Sequence, residues 1–408
     1  MKATRVALFG AALAAAAGLG RLSAPRPEHE DPATLDSFRE ALEERDWLTR
    51  SYRMSAFLQR LGPDELPEAL DALERRRPWL GQDEVRAFML AWTRFDAPAA
   101  FERALSWPGR SRRTATGAAI YAWAYRDPDA ALRALDRVED AQLRDFLRTR
   151  LVAGWARGEQ KETANRYIAS LPDGAQRDSF AGILARELNE EGAEAVMRWA
   201  EETPEIVPRY KEVVFRKACA ALALTDPEAA VRFAAAHAGR SYAAGSTAII
   251  AGRWANQDPR AALEWLVQTP GGAERDGAIA DALAQWLRLS SAQAEAWLRS
   301  ATPAGALDPA VRVLVRRANQ DGSPEEAVGW AKRIQDAALR DEVIVALGRA
   351  WLRRDPAAAE SWLARSDLTD SVRAAIHEPW GHAGASQDSA AGAAERRSSD
   401  GERAPKQP

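Results

Sequence analysis

Apolar residues along this chain recur at the three-and-four spacing of a helix buried on one face, and the whole pattern returns about every 32 residues. It is plainest from Trp254, which opens W-A-N-Q-D-P-R-A-A-L-E-W-L and is followed by Thr269-Pro270-Gly271. The run returns at Trp351 as W-L-R-R-D-P-A-A-A-E-S-W-L and at Trp123 as W-A-Y-R-D-P-D-A-A-L-R-A-L. Leu222 replaces the first Trp in L-A-L-T-D-P-E-A-A-V-R-F-A, and Trp92 begins W-T-R-F-D-A-P-A-A-F. Less regular copies start at Trp155 (Gly158-Glu159 in place of Asp-Pro), Glu187, Trp286 (Ser290-Ser291) and Ala318. The nine anchors lie 31 to 35 residues apart, and a weaker copy sits near Arg60, where Gly62-Pro63 precedes Pro67-Glu68-Ala69-Leu70.

Each copy reads as two helices. The first ends at or just after the anchor: from Arg275 to Trp286, Ile279, Leu283 and Trp286 form one apolar stripe. Asp-Pro then starts the second helix. The aspartate carboxylate can accept free amides at the helix start, its charge suits the positive end of the helix dipole, and proline at the first helical position loses no hydrogen bond. The second helix of the Trp254 copy is predicted over Pro259 to Thr269, with Ala262, Trp265 and Leu266 buried and Pro270-Gly271-Gly272 stopping it. The Ala pairs at 99–100, 130–131, 229–230, 261–262 and 358–359 are expected to allow close helix approach. A basic residue stands eleven before several anchors (Arg112, Arg144, Lys211, Arg275 and Arg340), near the predicted start of the first helix. These are expected to pair with an acidic group of an adjacent repeat. The turn Asp321-Gly322-Ser323-Pro324 reads as a lengthened start to a second helix.

The tryptophans follow the same register. Six of the fifteen are anchors (Trp92, Trp123, Trp155, Trp254, Trp286 and Trp351), and Trp199, Trp265, Trp297, Trp330 and Trp362 share a second position. That placement assigns them to the core rather than to a stacking platform for sugars or bases. A two-helix unit of this kind cannot bury its apolar face alone, so stacking on its neighbours is required.

The pattern resembles the tetratricopeptide family and related α-solenoids. Ala262, Trp265-Leu266 and Pro270 resemble that family's second-helix alanine, aromatic and closing proline; the repeat is about two residues shorter, and the Leu-Gly pair after the first Trp is missing. It is closer to the W-A-x-x-D-P-x-A-A-x-x-W repeats of secreted or membrane-attached bacterial proteins. The resemblance covers most of residues 55 to 375. It implies an all-α fold, a right-handed α-α superhelix of about ten repeats, with partners bound on the concave face. It carries over no catalytic residue.

Composition narrows the function classes. With 56 basic and 59 acidic residues the net charge is −3, which gives no general pull toward nucleic acid. Cys219 is the one cysteine, so an intrachain disulfide is excluded. Lys2 and Arg5 precede an uncharged apolar run, Val6 to Gly20, which predicts a signal peptide or membrane anchor over residues 1–24, with small residues at Gly10, Ala14 and Gly18. Either form places the rest of the chain outside the cytoplasm. Residues 25–36, with three prolines, read as a linker, 37–377 as the repeat domain, and 378–408 as a polar disordered tail.

No constellation of residues carries catalysis. His377, Glu378 and His382 hold metal-ligating atoms, but proline and glycine between them remove helical spacing and no further His or Cys is near. His29 lies in the linker, His237 at a second-helix end, and Cys219 in an alanine-rich helix where an inert thiol is expected. There is no Gly-rich phosphate loop, G-x-S-x-G or H-E-x-x-H. No catalytic, cofactor-binding or metal-binding residue is therefore assigned. The expected function is a non-enzymatic extracytoplasmic scaffold, periplasmic or at the cell surface, for a protein or peptide, with no nucleic acid and no cofactor. The alternative is an accessory or catalytic component of a cell-envelope glycan enzyme system.

Overall fold

A computed structural model describes residues 33–205, 208–302 and 304–378. The expected signal peptide or anchor, the expected linker as far as residue 32 and the expected tail beyond Glu378 lie outside the described residues. Among the described residues the chain is all-α, with 21 α-helices and no strand. No helix among them is long and apolar enough to cross a membrane.

The chain divides into two compact units, residues 1–187 and 188–408. The first holds α1 (Leu35–Glu43), α2 (Trp47–Arg60), α3 (Leu66–Arg76), α4 (Gln82–Trp92), α5 (Ala97–Leu105), α6 (Gly109–Arg126), α7 (Pro128–Leu135), α8 (Ala141–Arg157) and α9 (Lys161–Ser170). The boundary falls near the end of α10 (Ala175–Glu191). The second unit holds α11 (Ala193–Glu202), α12 (Pro208–Thr225), α13 (Pro227–Ala236), α14 (Ser246–Ala255), α15 (Pro259–Gln268), α16 (Ala273–Ser300), α17 (Asp308–Gln320), α18 (Pro324–Ala331), α19 (Ala337–Arg354), α20 (Pro356–Arg365) and α21 (Asp370–His377). Helix α1 begins inside the expected linker because Thr34 Oγ1 accepts the Ser37 amide at 3.2 Å and starts it.

The break before the second helix has one geometry in five copies of the motif. Asp96, Asp127, Asp226, Asp258 and Asp355 all have φ between −136° and −147° and ψ between 82° and 86°. Proline disfavours the helical region for the residue before it, which favours the break at four of these aspartates, although Asp308, before Pro309, is helical. In each copy the aspartate amide still donates to the anchor carbonyl, closing the first helix. Its carboxylate accepts the amide of Ala99, Ala130, Ala229, Ala261 or Ala358 at 2.9–3.1 Å, opening the second. Each such cap contributes about 1 kcal/mol.

Two copies differ from expectation. Helix α16 runs 28 residues without a gap, but Ser290 inside it has φ −160° and ψ 92°, so the same break persists where neither Asp nor Pro is present. In the Trp155 copy the second helix starts at Lys161 behind Gln160, not at Gly158-Glu159. Gly158 is needed one step earlier, where a Cβ would lie 2.6 Å from the Tyr125 carbonyl oxygen. The Asp321 turn gains a residue in the same way: Gly322 takes φ +79°, and α18 starts behind Ser323.

The fourth residue of the short second helices is a constant. Ala69, Ala100, Ala131, Ala164, Val196, Ala230, Ala262 and, by the same count, Ala294, Ala327 and Ala359 are all 0% exposed. Their spacings run from 31 to 34 residues. The two alanines of a pair thus do different things: the first supplies the capped amide, and the second makes the interior contact. The tryptophans pack as expected, and none of the eleven motif tryptophans is exposed. Trp254–Trp265, Trp286–Trp297 and Trp351–Trp362 meet with ring centroids 5.2–5.8 Å apart. Trp47 and Trp79, outside the motif, are 66% and 68% exposed.

The recurring basic residues do not pair with acids of an adjacent repeat. Arg144 donates to the Glu139 carbonyl, Arg340 to that of Ile334, and Lys211 to those of Ala200, Glu201 and Thr203. Arg275 bonds Asp276 beside it at 2.6 Å and reaches the Thr269 carbonyl at 3.5 Å. Arg112 has a buried Nε without a hydrogen-bond partner. Lys211 and Arg275 thus reach the carboxyl end of the preceding second helix, where orphan carbonyls and the negative end of the dipole attract a cation, while Arg144 and Arg340 reach carbonyls of the turn beyond it.

Acidic side chains have a separate clasping role. Glu74, at the end of α3, accepts Arg103 Nε at 2.7 Å and Trp107 Nε1 at 2.8 Å, from α5 and the turn after it. Burial pushes its carboxyl up, but the Arg103 and Trp107 hydrogen bonds and the charges of Arg103 and Arg77 outweigh this and hold it below the ordinary value of 4.5. A folded-state pKa below the unfolded one stabilises above the unfolded value and is lost as pH falls through the folded one. Glu74→Gln is therefore expected to cost about 1 kcal/mol at neutral pH. Urea unfolding of both proteins from pH 7 to pH 3 checks this: the difference should shrink below pH 4.5, and a constant difference would contradict it.

Candidate functional site

The candidate site is a groove of about 580 Å³ in the first unit, walled by α4, α6 and α8. Its origin is visible in the register. Counting back from the anchors, Gly117 of α6 occupies the position of Arg86 in α4, and Ala118 that of Arg150 in α8. The middle helix, which packs against both neighbours, is small where they carry arginine, and this leaves a hollow. Arg110 and Arg113 lie at the mouth, on the first turns of α6.

Local structure sets two of the guanidinium groups. Gly117 makes room for Phe146, since a Cβ there would sit 2.9 Å from the ring. The Arg113 guanidinium carbon lies 3.8 Å from the Phe146 ring centroid, and that of Arg150 lies 5.1 Å from the Tyr121 centroid. Arg86 is paired with Asp83 at 2.7 Å, both on the exposed side. No acidic side chain lines the groove. Burial lowers the pKa of the half-buried Arg150, Tyr121 opposes this, and the Arg86 charge adds to the lowering.

Helix α6 sharpens the imbalance. Its 18 residues hold Arg110, Arg112, Arg113 and Arg126 and no Asp or Glu. Three of these arginines stand at the amino end, where the dipole already presents positive charge and cations are disfavoured by about 0.3–1 kcal/mol each. Gly109, at φ +58°, starts the helix behind Pro108, so no Asp, Ser or Thr cap offsets them. The groove can hold an anion. It carries no carboxylate, histidine or thiol to move a proton or attack a substrate.

Another groove, of about 380 Å³ in the second unit, is lined by Arg288, Arg316 and Arg317 without an acidic side chain, although Arg317 lies 3.7 Å from Asp321. A groove of about 420 Å³ in the second unit sets Asp276, Asp308 and Asp336 against Arg312 and Arg316. Asp308 is buried and structural, accepting the Gln335 and Asp336 amides at 2.8 and 3.0 Å. Beside Trp286 and Trp297 lies another groove, of about 680 Å³.

The residues with chemistry of their own are dispersed. His237 caps α13 and bonds the Tyr242 hydroxyl at 2.9 Å between Phe215 and Phe233, which is helix-end packing. His377 lies 3.7 Å from Glu360, while His29 and His382 fall outside the described residues. Among the described residues, no three His, Cys, Asp or Glu side chains are placed to hold a metal ion. Cys219 is 0% exposed, and burial pushes its thiol up to about 12. The arginine groove is not among the sites expected from the sequence, although an acid-free α6 carrying R-S-R-R is a usable signal for it. No protein-family model matches the chain, and no curated protein or solved structure matches it.

Proposed function

We propose that the chain is a right-handed α-α solenoid of about ten two-helix repeats and serves as a non-enzymatic scaffold, outside the cytoplasm, for a protein or peptide partner. The observation that carries this reading is the recurrence of one helix break and one fully buried position at near-constant spacing. Such an array presents a row of first helices as a continuous surface. The apolar run after Lys2 and Arg5 supports export.

Two experiments in cells test the reading. A periplasmic reporter enzyme fused after residue 378 should be active with residues 1–24 present and inactive without them. A photo-crosslinking amino acid at Thr114, in the groove, should form a discrete protein adduct, whereas one at Arg353 should not. Location in the cytoplasm, or turnover of peptidoglycan by the purified chain, would overturn the proposal.

A further inference from the structure

We propose that the groove between α4, α6 and α8 binds an acidic segment of the partner protein, its Asp and Glu carboxylates seated on Arg86, Arg110, Arg113 and Arg150. The proposal rests on the scaffold reading above and names the chemistry of the partner.

Four guanidinium groups line one hollow, and among the described residues only Arg86 of the four has a carboxylate within 4 Å and no carboxylate lines the walls. Clustered cations repel one another, and those at the start of α6 also oppose the helix dipole. A ligand carrying several negative charges relieves both effects at once.

Geometry suits a carboxylate, as it suits other oxyanions with two accessible oxygens. A guanidinium offers two parallel N–H groups that match the two oxygens of one carboxylate. Stacking of Arg113 on Phe146 and of Arg150 on Tyr121 restricts their planes beforehand, so less side-chain freedom is lost on binding. Packed helices lie about 8–10 Å apart. Three in a row therefore span about 20 Å, the length of roughly six extended residues.

A single-stranded nucleic acid fits less well. Such strands stack bases on open aromatic faces. Here the Phe146 ring carries Arg113 and its edge lies against Gly117, and Tyr121 carries Arg150. The chain as a whole carries a net charge of −3, which gives no general pull toward nucleic acid.

The test uses the full-length chain and fluorescence anisotropy, with a labelled peptide containing six consecutive glutamates, its glutamine counterpart and a thymidine oligonucleotide of equal charge. The glutamate peptide should bind, the glutamine peptide should not, and the oligonucleotide should bind at least about tenfold more weakly. The double substitution Arg113→Gln with Arg150→Gln should weaken glutamate-peptide binding by about tenfold or more. Arg113→Lys alone should weaken it about threefold or more, because charge remains but the fork is lost. Arg353→Gln with Arg354→Gln, away from the groove, is the control and should change nothing. Circular dichroism establishes that each variant is folded. Binding that survives the groove substitutions, or equal binding of the oligonucleotide, would overturn the proposal. A partner adduct at Thr114 with no glutamate-peptide binding sinks this inference and leaves the scaffold; peptide binding by a cytoplasmic chain does the reverse.

Discussion

Replacing Gly154 with alanine is expected to destabilise the protein by about 3 kcal/mol, the upper end of the usual cost of overpacking. Gly154 lies in α8, against α6. A Cβ built there would stand 2.0 Å from the Tyr121 carbonyl oxygen and 2.8 Å from its carbon. These are backbone atoms of a helix, so no rotamer change can move them aside. Four residues on, Gly158 meets the Tyr125 carbonyl in the same way. The two glycines form a bare stripe on which the α6 backbone rests, and one methyl group must push the helices apart. Gly252 in α14 supplies the opposite case. It is exposed, and nothing lies within 4 Å of where a Cβ would stand, so Gly252→Ala should stabilise by about 0.5–1 kcal/mol through helix propensity. Urea unfolding followed by circular dichroism measures both. If the two variants shift in the same direction, the close approach of α6 and α8 is wrong.

Lys211→Met carries the next largest expected effect, a loss of about 3 kcal/mol. The ammonium group is buried and lies 2.5, 3.0 and 2.8 Å from the carbonyl oxygens of Ala200, Glu201 and Thr203. These carbonyls end α11 and have no helical donor of their own. Methionine fills similar space but leaves them buried without a donor, which costs more than the bonds are worth in isolation. Lys332→Met is the comparison. Its partner Asp367 is on the surface, and a change within about 0.5 kcal/mol is expected. The same unfolding measurement distinguishes them, and equal losses would show that Lys211 acts as an ordinary surface charge.

Both residues mark a boundary of what residue identity conveys. The basic residue eleven before the anchors is visible in the sequence, but its partner is not. A backbone carbonyl leaves no mark on residue identity, so acidic side chains look like the natural partners and the helix ends do not. Gly154 is likewise a glycine in a helical pattern, and only the path of α6 explains it. The groove is a third instance: Arg86, Arg113 and Arg150 come together because α4, α6 and α8 pack side by side.

The features legible in the chain alone are local. Asp-Pro disfavours the helical region for one residue and offers a cap to the next helix, and those two effects need only neighbouring atoms. The helix starts at Pro128, Pro227, Pro259 and Pro356 follow from this. So does the buried alanine at 131, 230, 262 and 359, because helical periodicity assigns faces. Which backbone each face meets is set by packing between helices, and no local pattern encodes it. Ser290 shows the division. It has no proline behind it, yet it takes nearly the backbone angles of Asp258. Trp286 before it and Ala294 and Leu298 after it are all buried in one core cluster, so the break accompanies tertiary packing where no proline favours it.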